Sequence, residues 1–345
     1  MRRIRAAKSL FFSVCASLLS SSGFGAQMPE IPDLTGYAFA KPAEGAEPVS
    51  IAVENLADAL KDYDAVLFGE WHDHPGNHLA EMALFRALAA RTEKLALSLE
   101  QFERDVQPVL DDYLQGKIGE EALRNRGRAW GNYAESYRPL VEYAKERKLP
   151  VIAANTPASI VRCVGQAGPD YLSRLAPEKR GQAASALHLN EGPYRDKFFR
   201  FLDESGSHGP DEKSVGADGK PTDGALRAFA SQVTRDDTMA ESIARHIEKN
   251  PGSKVFHLAG DFHVEDHLGT AERLKIIAPH LKIAVIAPVE AGKIGELRKG
   301  ANEFLLALKP VPELYANEAE QKAAEDQIRA MMGRARGTNP NACAS

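Results

Sequence analysis

The stretch AVLFGEWHDHP, residues 65–75, joins a short apolar run to a cluster of polar side chains, and it decides which fold to expect. Residues 65–68 are apolar, a glycine follows them, and Pro75 begins a pattern in which apolar residues recur at helical intervals. Such a pattern is typical of a buried strand that leads into a turn and then a helix. The sequence therefore predicts a strand whose carboxyl end carries Glu70 and His72.

A second stretch, VFHLAGDFH at residues 255–263, repeats this arrangement near the other end of the chain. Each stretch contains, at its strand end, a glycine, an acid, an aromatic residue and a histidine in this order. Ligands of open α/β sheets collect at the carboxyl ends of the strands, so His72 and His263 are expected to face one crevice. Six of the ten histidines lie within 72–78 and 257–267, which favours a site over scattered surface placement.

Further apolar runs alternate with amphipathic helical patterns along the chain. The runs lie at residues 95–99, 150–154 and 281–287, and the longest helical pattern covers 225–248. This alternation predicts an α/β fold with a mostly parallel central sheet, helices on both faces, and the paired Gly-x-x-His strand-turn motifs at its carboxyl edge. We expect residues 158–202 to be helical and residues 203–224, which are dense in Gly, Asp, Ser and Pro, to form a long loop.

The ends of the chain differ in composition from its centre. Residues 1–26 have basic residues, then an apolar run and then small residues, which is the pattern of a secretory signal peptide. We expect an extended leader at 27–50, a single α/β domain at 51–310, and a C-terminal helix and tail at 311–345. The predicted location is the periplasm or the periplasmic face of the outer membrane.

Cysteine usage fits an exported protein without a disulfide framework. Cys15 lies in the apolar part of the signal peptide, where a lipoprotein anchor is an alternative to simple cleavage. The mature chain keeps Cys163 and Cys343, which allow one disulfide. We expect Cys163 to be a buried small hydrophobic residue instead.

The overall composition excludes some classes of function. Hydrophobic residues make up 43% of the chain and charged residues 26%, as in ordinary soluble domains. The formal net charge of -5 gives no basic footprint for nucleic acid.

The residues expected at the strand ends carry groups that catalyse reactions or bind metals. They are Glu70, His72, Glu100, Asn155, Asp261 and His263. Imidazole and carboxylate groups suit a divalent metal such as Zn, Mn or Fe(II), for which His72, Glu100 and His263 are the candidate ligands. The same three residues together with Glu70 also suit a metal-free hydrolase, in which a carboxylate orients a histidine base. In a purely structural role, the acids would cap helices and the histidines would satisfy buried polar groups.

Several motifs in this order resemble those of ChaN-type haem-binding uptake proteins, over roughly residues 60–290. The matching segments are Gly69–His78, Leu97–Pro108, Trp130 with Tyr137–Leu140, Ala153–Pro157, Arg235–Ala240, and Gly260–His263 with Gly269. These proteins share the paired Gly-x-x-His framework with erythromycin esterases and the Tiki/TraB proteins, which include hydrolases. The resemblance implies an extracytoplasmic haem-binding protein that assists iron acquisition. The hydrolase reading remains the alternative.

The resemblance also implies that a tyrosine ligates ferric haem, because a phenolate is a hard anionic donor for Fe(III). The candidates are Tyr137, Tyr113 and Tyr133, which lie between the second and third predicted strands. Packing of an aromatic ring against the sheet is the alternative role for each of them.

Other residues could contact the rest of a haem. His188 is a candidate for a second ligand or a propionate contact, and Arg128 is a candidate propionate partner, with Arg124 and Arg126 nearby. Expected partners are haem, an outer-membrane haem receptor or transporter, and a second copy of the chain.

Overall fold

The fold is built on a central sheet of eight strands. The computed structural model describes residues 28–43, 46–205, 213–296, 303–317, 319–324, 326–327 and 343. The strands are β1 (Tyr37–Ala43), β2 (Ala46–Ile51), β3 (Ala65–Glu70), β4 (Leu95–Glu103), β5 (Val151–Asn155), β6 (Lys254–Gly260), β7 (Ile283–Glu290) and β8 (Phe304–Leu308).

Helices connect most of the strands. They are α1 (Val53–Leu60), α2 (Pro75–Ala89), α3 (Gln107–Leu114), α4 (Glu120–Arg126), α5 (Tyr133–Ser136), α6 (Arg138–Arg147), α7 (Ala158–Ala167), α8 (Pro177–Arg180), α9 (Pro193–Ser205), α10 (Asp223–Lys249) and α11 (Thr270–Ile277). Short 3-10 helices lie at Arg104–Val106, Pro169–Arg174, Asp261–His263, Glu265–His267 and Ala291–Glu296. None of the helices in the described residues is both long enough and apolar enough to span a membrane.

The strand order is β2-β1-β8-β7-β3-β6-β4-β5. All neighbours from β8 to β5 are parallel, whereas β1 runs antiparallel to both β2 and β8. The predicted α/β fold with a mostly parallel sheet is therefore confirmed. Strand β3 lies between β6 and β7, and its last residue, Glu70, pairs in register with Gly260 of β6. This register brings the two Gly-x-x-His stretches side by side at the carboxyl edge.

Helices cover both faces of the sheet because alternate residues of each buried strand point in opposite directions. In β3, Val66 and Phe68 pack into the hydrophobic cluster that includes α1, α2 and α6. Ala65 and Leu67 pack into a second cluster with α10 and α11. A strand buried on both faces is apolar along most of its length, which explains the continuous apolar run at residues 65–68.

Several segments differ from what the sequence predicts. Residues 37–43 and 46–51, expected as part of an extended leader, form β1 and β2 and join the sheet. Strand β8 was not predicted, although its run FLLAL is fully buried. The expected helical stretch at 158–202 is interrupted between α8 and α9 by an irregular segment at 181–192. Glycine and alanine are common around β1, and polar residues surround the irregular segment, so the local sequence does not predict these elements. Tertiary contacts determine their structure.

The expected long loop at 203–224 is shorter than predicted, since α9 ends at Ser205 and α10 begins at Asp223. Residues 206–212 lie outside the described residues. The predicted signal peptide at 1–26 also lies outside them, as does most of the predicted tail at 311–345. Cys163 is buried in a hydrophobic cluster as expected, but it forms a disulfide with Cys343, the pairing that the sequence left as the alternative.

Two leucines of α2 allow a direct test of the packing. Leu84 is completely buried, whereas Leu79 is 49% exposed. We expect Leu84→Ala to lower the free energy of unfolding by about 2–5 kcal/mol, because it leaves a cavity between α2 and the sheet. Leu79→Ala should change it by less than about 0.5 kcal/mol. Urea denaturation of both variants measures the difference, and equal effects would contradict this packing.

Candidate functional site

A cavity of about 410 Å³ opens at the carboxyl edge of the sheet. Its lining consists of Glu70, Trp71, His72, Phe198, Phe201, Gln232, Gly260, Asp261, Phe262 and His263. Residues from both Gly-x-x-His stretches therefore meet in one place, opposite two phenylalanines of α9. The volume lies within the usual range for small-molecule sites, about 300–1,000 Å³.

Glu70 fixes the orientation of His72. The Nδ1 atom of His72 lies 2.5 Å from Oε1 of Glu70, which also accepts hydrogen bonds from Gln101 Nε2 and the Tyr137 hydroxyl, each at 2.7 Å. Burial lowers the pKa of His72, but the bond to Glu70 and the charges of Glu70 and Glu100 outweigh burial and raise that pKa. The imidazole is thus anchored at Nδ1, while 40% of its side chain remains exposed.

His263 is held in a similar way from the other side. Its Nδ1 atom lies 2.7 Å from Oδ1 of Asp236, and its Nε2 atom lies 3.5 Å from Oε1 of Glu100. Burial opposes ionisation of Glu100, yet the charges of His263 and His72 lower the pKa of that carboxyl. Glu100 therefore lies between two imidazoles. The predicted grouping of Glu70, His72, Glu100 and His263 is present in the structure.

Sequence reasoning gave no role to Asp236, which orients His263 from α10. Asp236 is completely buried and also accepts hydrogen bonds from the hydroxyls of Tyr194, at 2.6 Å, and Thr270, at 3.0 Å. A buried acid within a long helix was the available signal, because buried acids need partners. Its partner comes from a distant part of the chain, so the pairing could not be read from spacing.

The glycines of the two motifs allow the strand ends to approach each other. A Cβ atom on Gly260 would lie 2.7 Å from Nε2 of His72, and one on Gly69 would lie 2.6 Å from Oδ1 of Asp261. Each motif thus supplies the space that a side chain of the other motif occupies. Any larger residue at either glycine would displace the catalytic or binding groups around it.

A second cluster of polar side chains lies beneath this cavity, at Glu70, His78 and Glu81. His74 and His78, one turn apart near the start of α2, are both largely shielded from solvent. His74 is only 1% exposed and bonds the backbone carbonyl of Lys309 through Nε2. Burial lowers the pKa of His78, but Glu81 and Glu70 outweigh it and raise that pKa to about 9. Burial raises the pKa of Glu81 to about 8.

The three candidate tyrosines are buried and do not line the cavity. The Tyr137 hydroxyl donates to Glu70, and burial together with the charge of Glu70 raises the pKa of that phenol. The Tyr113 hydroxyl donates to Glu142, while that of Tyr133 has no hydrogen-bond partner among the described residues. Ligation of iron by Tyr137 stays a prediction, and it would require the loss of the bond to Glu70.

The other predicted haem contacts already have partners within the protein. His188 lies in the irregular segment, not in a helix, and its Nδ1 atom lies 2.7 Å from Oδ1 of Asp237. Arg128 forms ion pairs with Glu103 and Asp105. Neither residue lines the cavity, so their roles toward haem remain predictions.

The buried cluster makes stability depend on pH. The raised pKa values of His78 and Glu81 mean that the folded protein binds protons more tightly than the unfolded chain. Stabilisation is therefore present at low pH and is lost as the pH rises toward about 9. Between pH 6 and pH 9 in metal-free buffer, we expect the free energy of unfolding to fall by about 2 kcal/mol more than in Glu81→Gln.

Urea unfolding at the two pH values measures this difference. The exposed Glu93 provides a matched control, because Glu93→Gln should leave the pH dependence of the intact protein unchanged. Identical pH dependence in the intact protein and Glu81→Gln would contradict the expectation.

Two solved structures are similar to this chain to different extents. ChaN of Campylobacter jejuni, in a structure with cofacial haem binding, is 18% identical, with 79% of this chain and 97% of that chain covered and a TM-score of 0.61. An erythromycin esterase mutant, EreC in its open conformation, is 15% identical, with 79% and 82% covered and a TM-score of 0.41.

Among curated proteins, a match is found to the chloroplastic Protein RETICULATA-RELATED 5 of Arabidopsis thaliana. It is 26% identical over 136 residues, which is 37% of this chain and 18% of that protein. The chain therefore spans less than a fifth of the length of this relative.

The family model described as haem-binding uptake, Tiki superfamily, ChaN matches residues 56–274. This range contains β3 to β6 and every polar residue of the cavity. Because the match covers more than half of the chain, the protein belongs to the ChaN family of haem-binding uptake proteins in the Tiki superfamily.

Proposed function

We propose that this protein is an extracytoplasmic haem-binding protein that assists haem or iron uptake, and that haem binds at the cavity on the carboxyl edge of the sheet. The observation that carries the proposal is the combination, in one cavity, of an aromatic wall and an anchored imidazole. Membership of the haem-binding uptake family supports it.

The aromatic wall suits a flat, largely apolar ligand. The ring of Phe262 lies 5.3 Å from that of Phe201 and 6.2 Å from that of Phe198, measured between centroids. Phe201 is 47% exposed, although burial of such a side chain would be favourable. A porphyrin face packed against these rings would remove this apolar surface from water.

His72 is the candidate iron ligand within the cavity. Metal-bound histidines almost always donate the second ring N–H to a carboxylate or carbonyl, and Glu70 has this position relative to Nδ1 of His72. Haem bound here would supply an iron centre that accepts a nitrogen ligand. The chain would contribute the imidazole, its orientation by Glu70, and the apolar wall that excludes water.

The anionic propionates of haem call for cations near the cavity. Arg235 is part-buried on α10, and its guanidinium makes no hydrogen bond or ion pair within the part of the chain that the structure describes. Its charge acts on both Glu100 and His263. Arg235 is therefore a candidate propionate partner, beside Arg128, which would have to exchange its present carboxylate partners.

Two features support export. The predicted signal peptide and the disulfide between Cys163 and Cys343 both suit an oxidising compartment.

In this proposal the protein passes haem to an outer-membrane haem receptor or transporter. A homodimer could bring two cavities together, which would agree with the cofacial haem binding of Campylobacter jejuni ChaN.

The central prediction concerns haem affinity. We expect the mature protein to bind haemin saturably, with a shift of the Soret band, and His72→Ala to weaken binding at least about tenfold because it removes the proposed ligand. Phe201→Ala should weaken binding less, through loss of apolar contact. Titrations followed by visible absorption measure both effects.

The exposed His280, in the segment before β7, gives a matched control, and His280→Ala should bind haemin normally. Tyr137→Phe separates the two candidate ligands, since a changed spectrum in that variant alone would favour tyrosine ligation. Absence of any saturable spectral change in the unmodified protein would overturn the proposal of haem binding.

Hydrolysis is the second candidate function, and one specific observation favours it. Each of the two cavity imidazoles has Nδ1 beside a buried carboxylate, Glu70 or Asp236, and Glu100 lies near the opposite side of His263. This arrangement orients a histidine for general acid or base catalysis. Binding and hydrolysis could share the site, because the same oriented imidazoles serve both.

A panel of chromogenic esters tests hydrolysis. If the protein turns over an ester, we expect His72→Ala and His263→Ala each to lower kcat about 10²- to 10⁴-fold, through loss of the acid or base. His280→Ala should retain full turnover. An inactive protein, or one whose activity survives both cavity substitutions, would exclude this candidate.

A further inference from the structure

We propose that Glu70, His78 and Glu81 form a buried binding site for one divalent transition-metal ion, beneath the cavity and distinct from the His72/His263 crevice. The inference does not rest on haem binding. The hydrogen bonds of the three side chains leave one ligand atom of each side chain available, and these atoms lie close together.

The three groups are close together and shielded from water. One ligand atom from each lies within 4.8 Å of the other two. Glu81 is completely buried, Glu70 is 2% exposed, and the His78 side chain is 10% exposed. Two ionised carboxylates at such a depth would require a compensating positive charge.

Each group already uses its other polar atom. Oε1 of Glu70 accepts hydrogen bonds from the Tyr137 hydroxyl and Gln101 Nε2. Oε1 of Glu81 accepts one from Asn77 Nδ2 at 2.6 Å. The inward atoms are thus Oε2 of both glutamates and Nδ1 of His78.

Oε2 of Glu70 gives independent evidence for a bound ion. It is buried and has no hydrogen-bond partner among the described residues, although Oε1 of the same carboxylate has several. An orphaned carboxylate oxygen is costly in a protein interior, and an ion that the structure does not contain is one of its regular explanations.

The histidine is positioned as metal ligands usually are. Nε2 of His78 lies 2.8 Å from the backbone carbonyl oxygen of His72 and donates its proton there, so Nδ1 keeps its unshared pair whenever the imidazole is neutral. Nδ1 then faces Oε2 of Glu81 at 3.0 Å, which brings two acceptors together. A carbonyl acceptor behind the second ring nitrogen is the common outer contact of metal-bound histidine.

A metal ion satisfies the set better than a proton. A single proton on Nδ1 would bridge His78 and Glu81, and a second proton, on Glu81, would be needed to give Oε2 of Glu70 a donor. A divalent ion could accept all three atoms and balance the two carboxylate charges. One imidazole and two carboxylates suit Zn²⁺, Mn²⁺ or Fe²⁺, at ligand distances of about 2.0–2.2 Å.

The site would act on the cavity through Glu70. The same carboxylate that binds the ion through Oε2 orients His72 through Oε1. The ion would therefore hold Glu70 in place and rigidify the imidazole of the cavity. Its expected role is to support the site above it, and its own access to substrate is closed by burial.

The test uses the mature protein, stripped with EDTA and dialysed, and titrated with Zn²⁺ by calorimetry. We expect one equivalent to bind saturably and to raise the Tm. Glu81→Gln and His78→Gln should each weaken Zn²⁺ binding at least tenfold and remove the rise in Tm. Circular dichroism before the titration establishes that each variant is folded.

His263→Ala is the matched control, because it alters the crevice without touching the three proposed ligands. It should bind Zn²⁺ like the unmodified protein. No saturable binding, or binding lost in His263→Ala and kept in Glu81→Gln and His78→Gln, would overturn the proposal. Haemin titration of the same variants separates this result from the fate of the haem proposal.

Discussion

The close approach of the ends of β3 and β6 is the constraint on which the site depends. Gly260 lies against Nε2 of His72, and Gly69 lies against the carboxylate of Asp261. The parallel register that pairs Glu70 with Gly260 makes this contact reciprocal. A side chain at either glycine would force the strands or the histidine aside. The two Gly-x-x-His stretches therefore act as a single interlocked unit, and their similarity in sequence reflects their equivalent positions in the sheet.

Glu70 extends this unit in two directions. Oε1 holds His72 at the cavity, and the same carboxylate lies within 4.8 Å of ligand atoms of the buried pair His78 and Glu81. One carboxylate thus couples the orientation of an exposed imidazole to the charge state of a group beneath it. This coupling gives a role to Glu70, the acid at the last position of β3, immediately before the turn of the first Gly-x-x-His stretch. It also implies that any change in the buried cluster reaches the cavity by a single hydrogen bond.

The cavity combines features of a binding site with features of a catalytic one. The wall formed by Phe198, Phe201 and Phe262 favours a flat apolar ligand, whereas the imidazoles beside Glu70 and Asp236 are oriented as in acid–base catalysis. Fold alone does not choose between such roles, because one scaffold hosts many functions. The family of the chain favours haem, and the oriented histidines could serve as ligands in that role without any loss of their geometry.

The sequence by itself determined the parallel α/β fold and the meeting of Glu70, His72, Glu100 and His263, because strand-end positions follow directly from apolar runs and their glycine boundaries. Only the tertiary structure decided the partners that come from distant segments. Asp236 reaches His263 from α10, and His78 forms a largely buried contact with Glu81 beside Glu70. Strands β1 and β8 likewise depend on pairing with each other, since their short runs carry no local signal strong enough to specify a sheet edge. Burial of the candidate tyrosines was also hidden, because helical periodicity predicts a face but does not specify which neighbour covers it.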